Sequence, residues 1–280
     1  FSHEKLKVSA RLPAAQRYIV EHGLNELIEG EQNSVGIIVQ GGIYNILMRR
    51  LHVMGLADAF GNSQIPILVL NVTHPLVPDQ ITDFCAGKNA VLMVEEGNPE
   101  FMEHQVNTML RKADLNTSLH GKDVLPAAGE YTADVLQEGL VSFLELAMPT
   151  GLNKSGIQDL VARSNDARSG GKISLGQTSP PRPPQFCTGC PERPVFSAIK
   201  IIEQEVGKVH ISADIGCHAF ATFEPFSMGN SILGYGMSLA SAAAVAPFQQ
   251  RRSISIMGDG GFWHNGLTSG VVSTMLNAGD

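Results

Sequence analysis

From Val35 onward the chain repeats one pattern. A short, β-prone apolar run is followed by a longer stretch whose apolar residues recur at helical spacing. "VGIIVQ" (35–40) leads to "IYNILMRRLHVMGLADAF" (43–60), "PILVLNV" (66–72) to "PDQITDFCAG" (78–87), and "AVLMVEE" (90–96) to "PEFMEHQVNTMLRKADL" (99–115). Such alternation leaves few options, because strands joined through helices lie parallel and bury both faces of their sheet. The fold class expected is therefore α/β. Pro78 and Pro99 stand where helices open, and "GEYTADVLQEGLVSFLEL" (129–146) closes the unit with a further helix.

Around this unit the composition shifts. Residues 1–34 read as a helical lead-in, with "PAAQRYIVEHGLNELIEG" as one polar-faced helix. Residues 35–148 form the α/β domain. Residues 149–186 are dominated by Gly, Ser, Pro, Asn and Lys and end in "TSPPRPPQF", so they read as a stiff linker. Residues 187–280 start a second α/β domain: helix 193–206, strand "VHISAD" (209–214), loop "IGCHAFATFEPFSMGN", helix 231–246 and a strand over 253–257. A length of 280 residues suits two domains. The net charge of −7, without a basic block, argues against nucleic acid as a partner. No apolar run reaches membrane-spanning length. The chain opens on Phe1 with no secretory signal, so a piece of a longer cytoplasmic protein is expected.

Two stretches point to chemistry. In "SIMGDGGFWHNG" (255–266) a strand runs into Gly258-Asp259-Gly260-Gly261, and Leu267, Val271, Val272, Met275 and Leu276 follow at helical spacing. Strand ends of open α/β sheets are where ligands bind. Asp259 there is either a capping residue of a tight turn or a ligand for a hard cation, Mg²⁺, that clamps a diphosphate against the helix start. The second stretch is "FCTGCPERP" (186–194), whose Cys187 and Cys190 share one turn; Cys217 follows in "ADIGCHAF". Three thiolates on two loops suit an iron–sulfur cluster. Zinc with His218 as a fourth ligand, a redox pair, or three unrelated core thiols are the other readings. Cys85, among apolar neighbours in "ITDFCAG", reads as a buried, inert thiol.

Taken in order, "FCTGCPERPVFSAIK", "SADIGCHAF", "MGNSILGYGMSLA" and "MGDGGFWHNGLTSG" resemble the thiamine-diphosphate domain of the 2-oxoacid:ferredoxin oxidoreductases, in the indolepyruvate ferredoxin oxidoreductase branch. "VGIIVQGGIYNILMRRL", "LNVTHPLVPDQITDF" and "VLMVEEGNPEFMEHQV" resemble that family's middle, transketolase-C-terminal-like domain. The resemblance implies two parallel-sheet α/β domains, the second a thiamine-diphosphate-binding domain truncated at its C-terminus. It implies Asp259 as the Mg²⁺ ligand, with Gly258, Gly260 and Gly261 forming the backbone turn. Cys187, Cys190 and Cys217 match three ligands of a 4Fe-4S cluster, and "CPER" sets Glu192 and Arg193 near both cofactors. His218 is a candidate substrate contact, although a lone His is more often structural, while Glu95 and Glu96 are expected to face an interface or solvent rather than to act in catalysis. The Asn that completes the family's thiamine motif and the fourth cluster cysteine would lie beyond Asp280; Asn265 and Asn277 come too early. The pyrimidine-binding region would precede Phe1.

The reaction implied is oxidative decarboxylation of a 2-oxo acid, indolepyruvate or another arylpyruvate. The acyl group passes to coenzyme A, and electrons pass through iron–sulfur clusters to ferredoxin or another acceptor. The partners implied are the pyrimidine-binding and gamma-type regions of the same enzyme, in a homo-oligomer, with this chain inactive alone. Phe220, Phe223, Phe226 and Met228 could line an aromatic pocket, but such a stripe is more often core. Two rivals differ in chemistry. A non-oxidative thiamine-dependent decarboxylase has no need of the three cysteines. A zinc-stabilised interaction module would ignore thiamine diphosphate.

Overall fold

The computed structural model describes residues 1–174 and 184–277. The chain divides into two compact units, Phe1–Thr178 and Ser179–Asp280.

The first unit opens with α1 (Ser2–Leu6), a π-turn over Lys7–Arg11 and α2 (Leu12–Glu21). The lead-in is not helical throughout. Gly23, at φ +56°, turns the chain, and β1 (Glu26–Ile28) follows as a strand. The succession β2 (Val35–Gln40), α3 (Tyr44–Val53), β3 (Ile67–Leu70), α4 (Pro78–Cys85), β4 (Ala90–Val94), α5 (Phe101–Lys112), β5 (Ser118–His120) and α6 (Ala133–Ala147) carries the alternation. The sheet runs β1-β3-β2-β4-β5; its four later strands are parallel, and β1 pairs antiparallel to β3 at the edge. Strand periodicity splits the apolar residues between two cores. Ile37, Val39, Ile67, Val69, Leu92 and Val94 pack on one side with Leu47, Leu51, Leu140 and Phe143. Ile38, Leu68, Leu70, Val91 and Met93 pack on the other with Ile81, Phe84, Val106 and Leu110. Both faces are covered, as a parallel sheet requires.

The stretch expected to be a linker, 149–186, begins instead with a helix, α7 (Lys154–Ser174). Leu152, Ile157 and Val161 pack against the α3/α6 core, and Gln137 Nε2 donates to Asn165 Oδ1 at 3.3 Å. Burying most of an aliphatic side chain contributes roughly 1.5–3 kcal/mol, against roughly 1 kcal/mol lost per helical Gly. The apolar stripe therefore wins over the Gly/Ser-rich composition. Most of "TSPPRPPQF" lies outside the described residues.

The second unit holds α8 (Glu192–Val206), β6 (Ile211–Ala213), a 3-10 turn over Cys217–Thr222, β7 (Ser231–Ile232), α9 (Ser238–Val245) and β8 (Ile254–Ile256). Then α10 (Asp259–Gly261) continues through a π-helical stretch, Phe262–Val271, into α11 (Val272–Leu276). The sheet is β7-β6-β8, all parallel. The helix expected over 231–246 is shorter. Ser231 and Ile232 pair with Ser212 and Ala213, and Gly236 sits at φ +81° before the helix starts. Only glycine serves at 236, since a Cβ there would fall 2.4 Å from the Gly261 carbonyl oxygen. Among the described residues no helix is long and apolar enough to cross a membrane.

Candidate functional site

Strands β6 and β8 lie side by side and end together, β6 leading into Asp214 and β8 into the Gly258–Gly261 turn. Gly258 is extended (φ −72°, ψ 156°) and caps a helical run that continues to Leu276. Two of the turn's glycines are closely approached, Gly261 by a buried carboxylate and Gly260 by the tip of an exposed tyrosine. A Cβ on Gly260 would lie 2.2 Å from Tyr235 Oη, and one on Gly261 would lie 2.0 Å from Asp214 Oδ2. Gly258 instead faces open space. The Asp259 side chain is exposed and makes no hydrogen bond or ion pair among the described residues. A free hard-oxygen donor on a glycine turn, at the start of a helix and at a strand end, fits the donor set that Mg²⁺ and a diphosphate require. A cavity of about 600 Å³ between α9 and residues 249–253 lies apart from this turn; none of the site residues lines it.

The Cys187–Cys190 turn is closed by a hydrogen bond from Cys190 N to Cys187 O at 3.1 Å. Cys187 and Cys217 are exposed and Cys190 is half-buried, all as free thiols. Their chemistry suits iron or zinc, but among the described residues no three His, Cys, Asp or Glu side chains are gathered around one point. Cys85 is fully buried, and that burial pushes its thiol up to about 12, which keeps it protonated and inert.

The remaining expected residues fall as follows. Arg193 donates from Nη2 to the Phe186 carbonyl at 2.5 Å, bracing the chain just before Cys187. Glu192 is half-buried, and its Oε2 is shut off from solvent without a hydrogen-bond partner among the described residues. His218, expected to touch substrate, is turned inward: its ring is buried, with Nε2 2.7 Å from Asp214 Oδ1. Phe220, Phe226 and Met228 belong to the core with Phe186 and Phe196, while Phe223 is half-exposed. Glu95 faces neither an interface nor solvent. It is buried and accepts from the N–H groups of Met102 and Glu103 at the start of α5. Glu96 accepts from the N–H of Tyr131 at 2.5 Å.

Asp214 escaped the sequence reading. It is fully buried, and its Oδ2 accepts from the N–H of Gly236 at 2.9 Å. The one available signal was a carboxylate directly after the β-prone run "VHISA", at the strand end where α/β sheets bind ligands.

Residues 214–275 match the family model "Thiamine pyrophosphate enzyme, C-terminal TPP binding domain", which spans Asp214, Cys217, His218 and the Gly258–Gly261 turn. The span that carries the turn is thus similar to the cofactor-binding domain of thiamine pyrophosphate enzymes. Most of the chain is similar to indolepyruvate oxidoreductase subunit IorA of three organisms. With that of Methanothermobacter thermautotrophicus it is 27% identical over 254 residues, 88% of this chain and 36% of the relative. With that of Thermococcus kodakarensis it is 30% identical over 255 residues, 86% and 36%. With that of Archaeoglobus fulgidus it is 27% identical over 271 residues, 96% and 39%. The chain spans a little over a third of the length of these curated relatives. The resemblance read from the motifs is borne out: most of the chain is similar to these indolepyruvate oxidoreductase subunits.

Proposed function

We propose that the chain supplies the diphosphate-binding side of the active site in a 2-oxoacid:ferredoxin oxidoreductase that acts on an aryl 2-oxo acid. The observation that carries this reading is the free Asp259 carboxylate on a glycine turn at the end of β8, within the span that matches the thiamine pyrophosphate family. Asp259 would hold Mg²⁺, and the N–H groups that open the helix at Gly260 and Gly261 would face the diphosphate. When bound, thiamine diphosphate supplies the electron sink for decarboxylation. The chain's own part is to bind and orient. Asp214 packs closely against Gly261 and Tyr235 lies over Gly260, and Gly258 leaves the approach open.

The three cysteines favour the oxidative reaction over a simple decarboxylase, because that rival has no use for exposed thiols beside the cofactor domain. In this proposal Cys187, Cys190 and Cys217 ligate a 4Fe-4S cluster, which requires their two turns to close on one centre. Electrons leave to ferredoxin or another acceptor, and the acyl group leaves on coenzyme A. Further regions of the enzyme complete the site in a homo-oligomeric, cytoplasmic assembly. Aryl preference rests on the relatives' names, since Phe220, Phe226 and Met228 are taken up in the core.

Calorimetric titration of the complete enzyme with Mg²⁺–thiamine diphosphate tests the reading. Asp259→Ala is expected to abolish measurable binding, because among the described residues no second free carboxylate lies on this turn. Unchanged affinity in that variant refutes the assignment.

A further inference from the structure

One carboxylate touches every loop that forms the edge of the second sheet. Asp214 directly follows β6, the middle strand, and is fully buried. Its Oδ2 accepts from Gly236 N–H at 2.9 Å, in the loop between β7 and α9. The same oxygen presses on Gly261, where a Cβ would come to 2.0 Å. Its Oδ1 lies 2.7 Å from His218 Nε2 in the turn that carries Cys217. That approach is close but off line: the ring N–H is aligned with the Asp214 main-chain carbonyl at 3.0 Å, so Oδ1 gains no true hydrogen bond.

Folding alone gives no reason for this arrangement. The neighbours on β6 are Ile211, Ser212 and Ala213, and a buried carboxylate with one orphaned oxygen adds less stability than an apolar side chain of equal size. What the carboxylate does provide is a rigid hub. It sets the Cys217–His218 turn, the Gly236 loop and the Gly258–Gly261 turn at fixed distances from one strand end.

We propose that Asp214 is a positioning residue that holds the Gly258–Gly261 turn in the geometry that binds Mg²⁺–thiamine diphosphate, with His218 as its brace rather than a substrate contact. This rests on the cofactor reading above.

The test uses the complete enzyme, with calorimetric affinity for Mg²⁺–thiamine diphosphate and the thermal unfolding midpoint as paired readouts. Asp214→Asn keeps an acceptor for Gly236 N–H but offers His218 an amide. It is expected to weaken cofactor binding about tenfold, as expected for loss of a charged acceptor, while the midpoint moves by no more than about 3 °C. Asp214→Ala, which also loses the Gly236 bond, is expected to bind more weakly still. Wild-type affinity in Asp214→Asn, with binding lost in Asp259→Ala, overturns the role of Asp214 and leaves the cofactor reading intact. Wild-type affinity in both variants removes the cofactor reading itself. Should Asp214→Asn fail to fold, His218→Gln takes its place: a smaller loss of affinity supports the hub, and wild-type affinity overturns it.

Discussion

At the residue scale, a single methyl group tests how tightly the turn is built. A Cβ on Gly261 would meet Asp214 Oδ2 at 2.0 Å and the Gly236 nitrogen at 3.3 Å. The carboxylate cannot swing aside, because Gly236 N–H holds it and the site is closed to water. Gly261→Ala is therefore expected to cost about 1–3 kcal/mol through overpacking and to weaken Mg²⁺–thiamine diphosphate binding with it. Chemical denaturation and calorimetry on the same sample check both, and unchanged stability would show that the turn is looser than described. At this scale the local turns were legible beforehand: glycines around an aspartate after a strand announced a tight turn, and the Cys-x-x-Cys spacing announced the hydrogen-bonded turn that joins Cys187 and Cys190. His218 and Asp214 were not readable in the same way. The burial of a lone histidine or aspartate depends on neighbours distant in sequence, here Gly236 and Gly261.

At the element scale, the longer helices and the buried strands followed from periodicity, and the misses share a cause. Strands β1 and β5 have three residues each and only partial burial, too few to show a period of two. Helix α7 hid because its Gly, Ser and Asn content masks a short stripe, Ile157 and Val161, whose meaning depends on the core it meets. The helix expected at 231–246 lost its first turns to the β7 pairing of Ser231 and Ile232 and to Gly236, which packs closely against Gly261. Glu95 is a long-range cap for α5: its carboxylate takes the N–H of Met102 at 2.9 and 3.1 Å and that of Glu103 at 2.9 Å. No spacing rule links position 95 to a helix that starts at Phe101. Removing it leaves buried donors unsatisfied, so Glu95→Ala is expected to destabilise the first unit by about 2 kcal/mol. A shift in the urea midpoint with an unchanged slope checks this, whereas a loss under about 0.5 kcal/mol would mean that water replaces the cap.

At the scale of the whole molecule, the α/β class was readable because alternation along the chain dictates largely parallel sheets in both units. The boundary between the units was less readable, since α7 extends the first unit well into the stretch that composition marks as a linker. Under the proposed function, a thiamine diphosphate site on the second unit would feed electrons to a cluster held by Cys187, Cys190 and Cys217. The most direct test is the visible absorbance of the anaerobic, complete enzyme when an arylpyruvate and coenzyme A are added in the presence of Mg²⁺–thiamine diphosphate. Bleaching of an iron–sulfur band is predicted for the wild type, with none in Asp259→Ala and no band at all in Cys187→Ser. Decarboxylation without bleaching, or a protein that carries zinc in place of iron, would contradict the account.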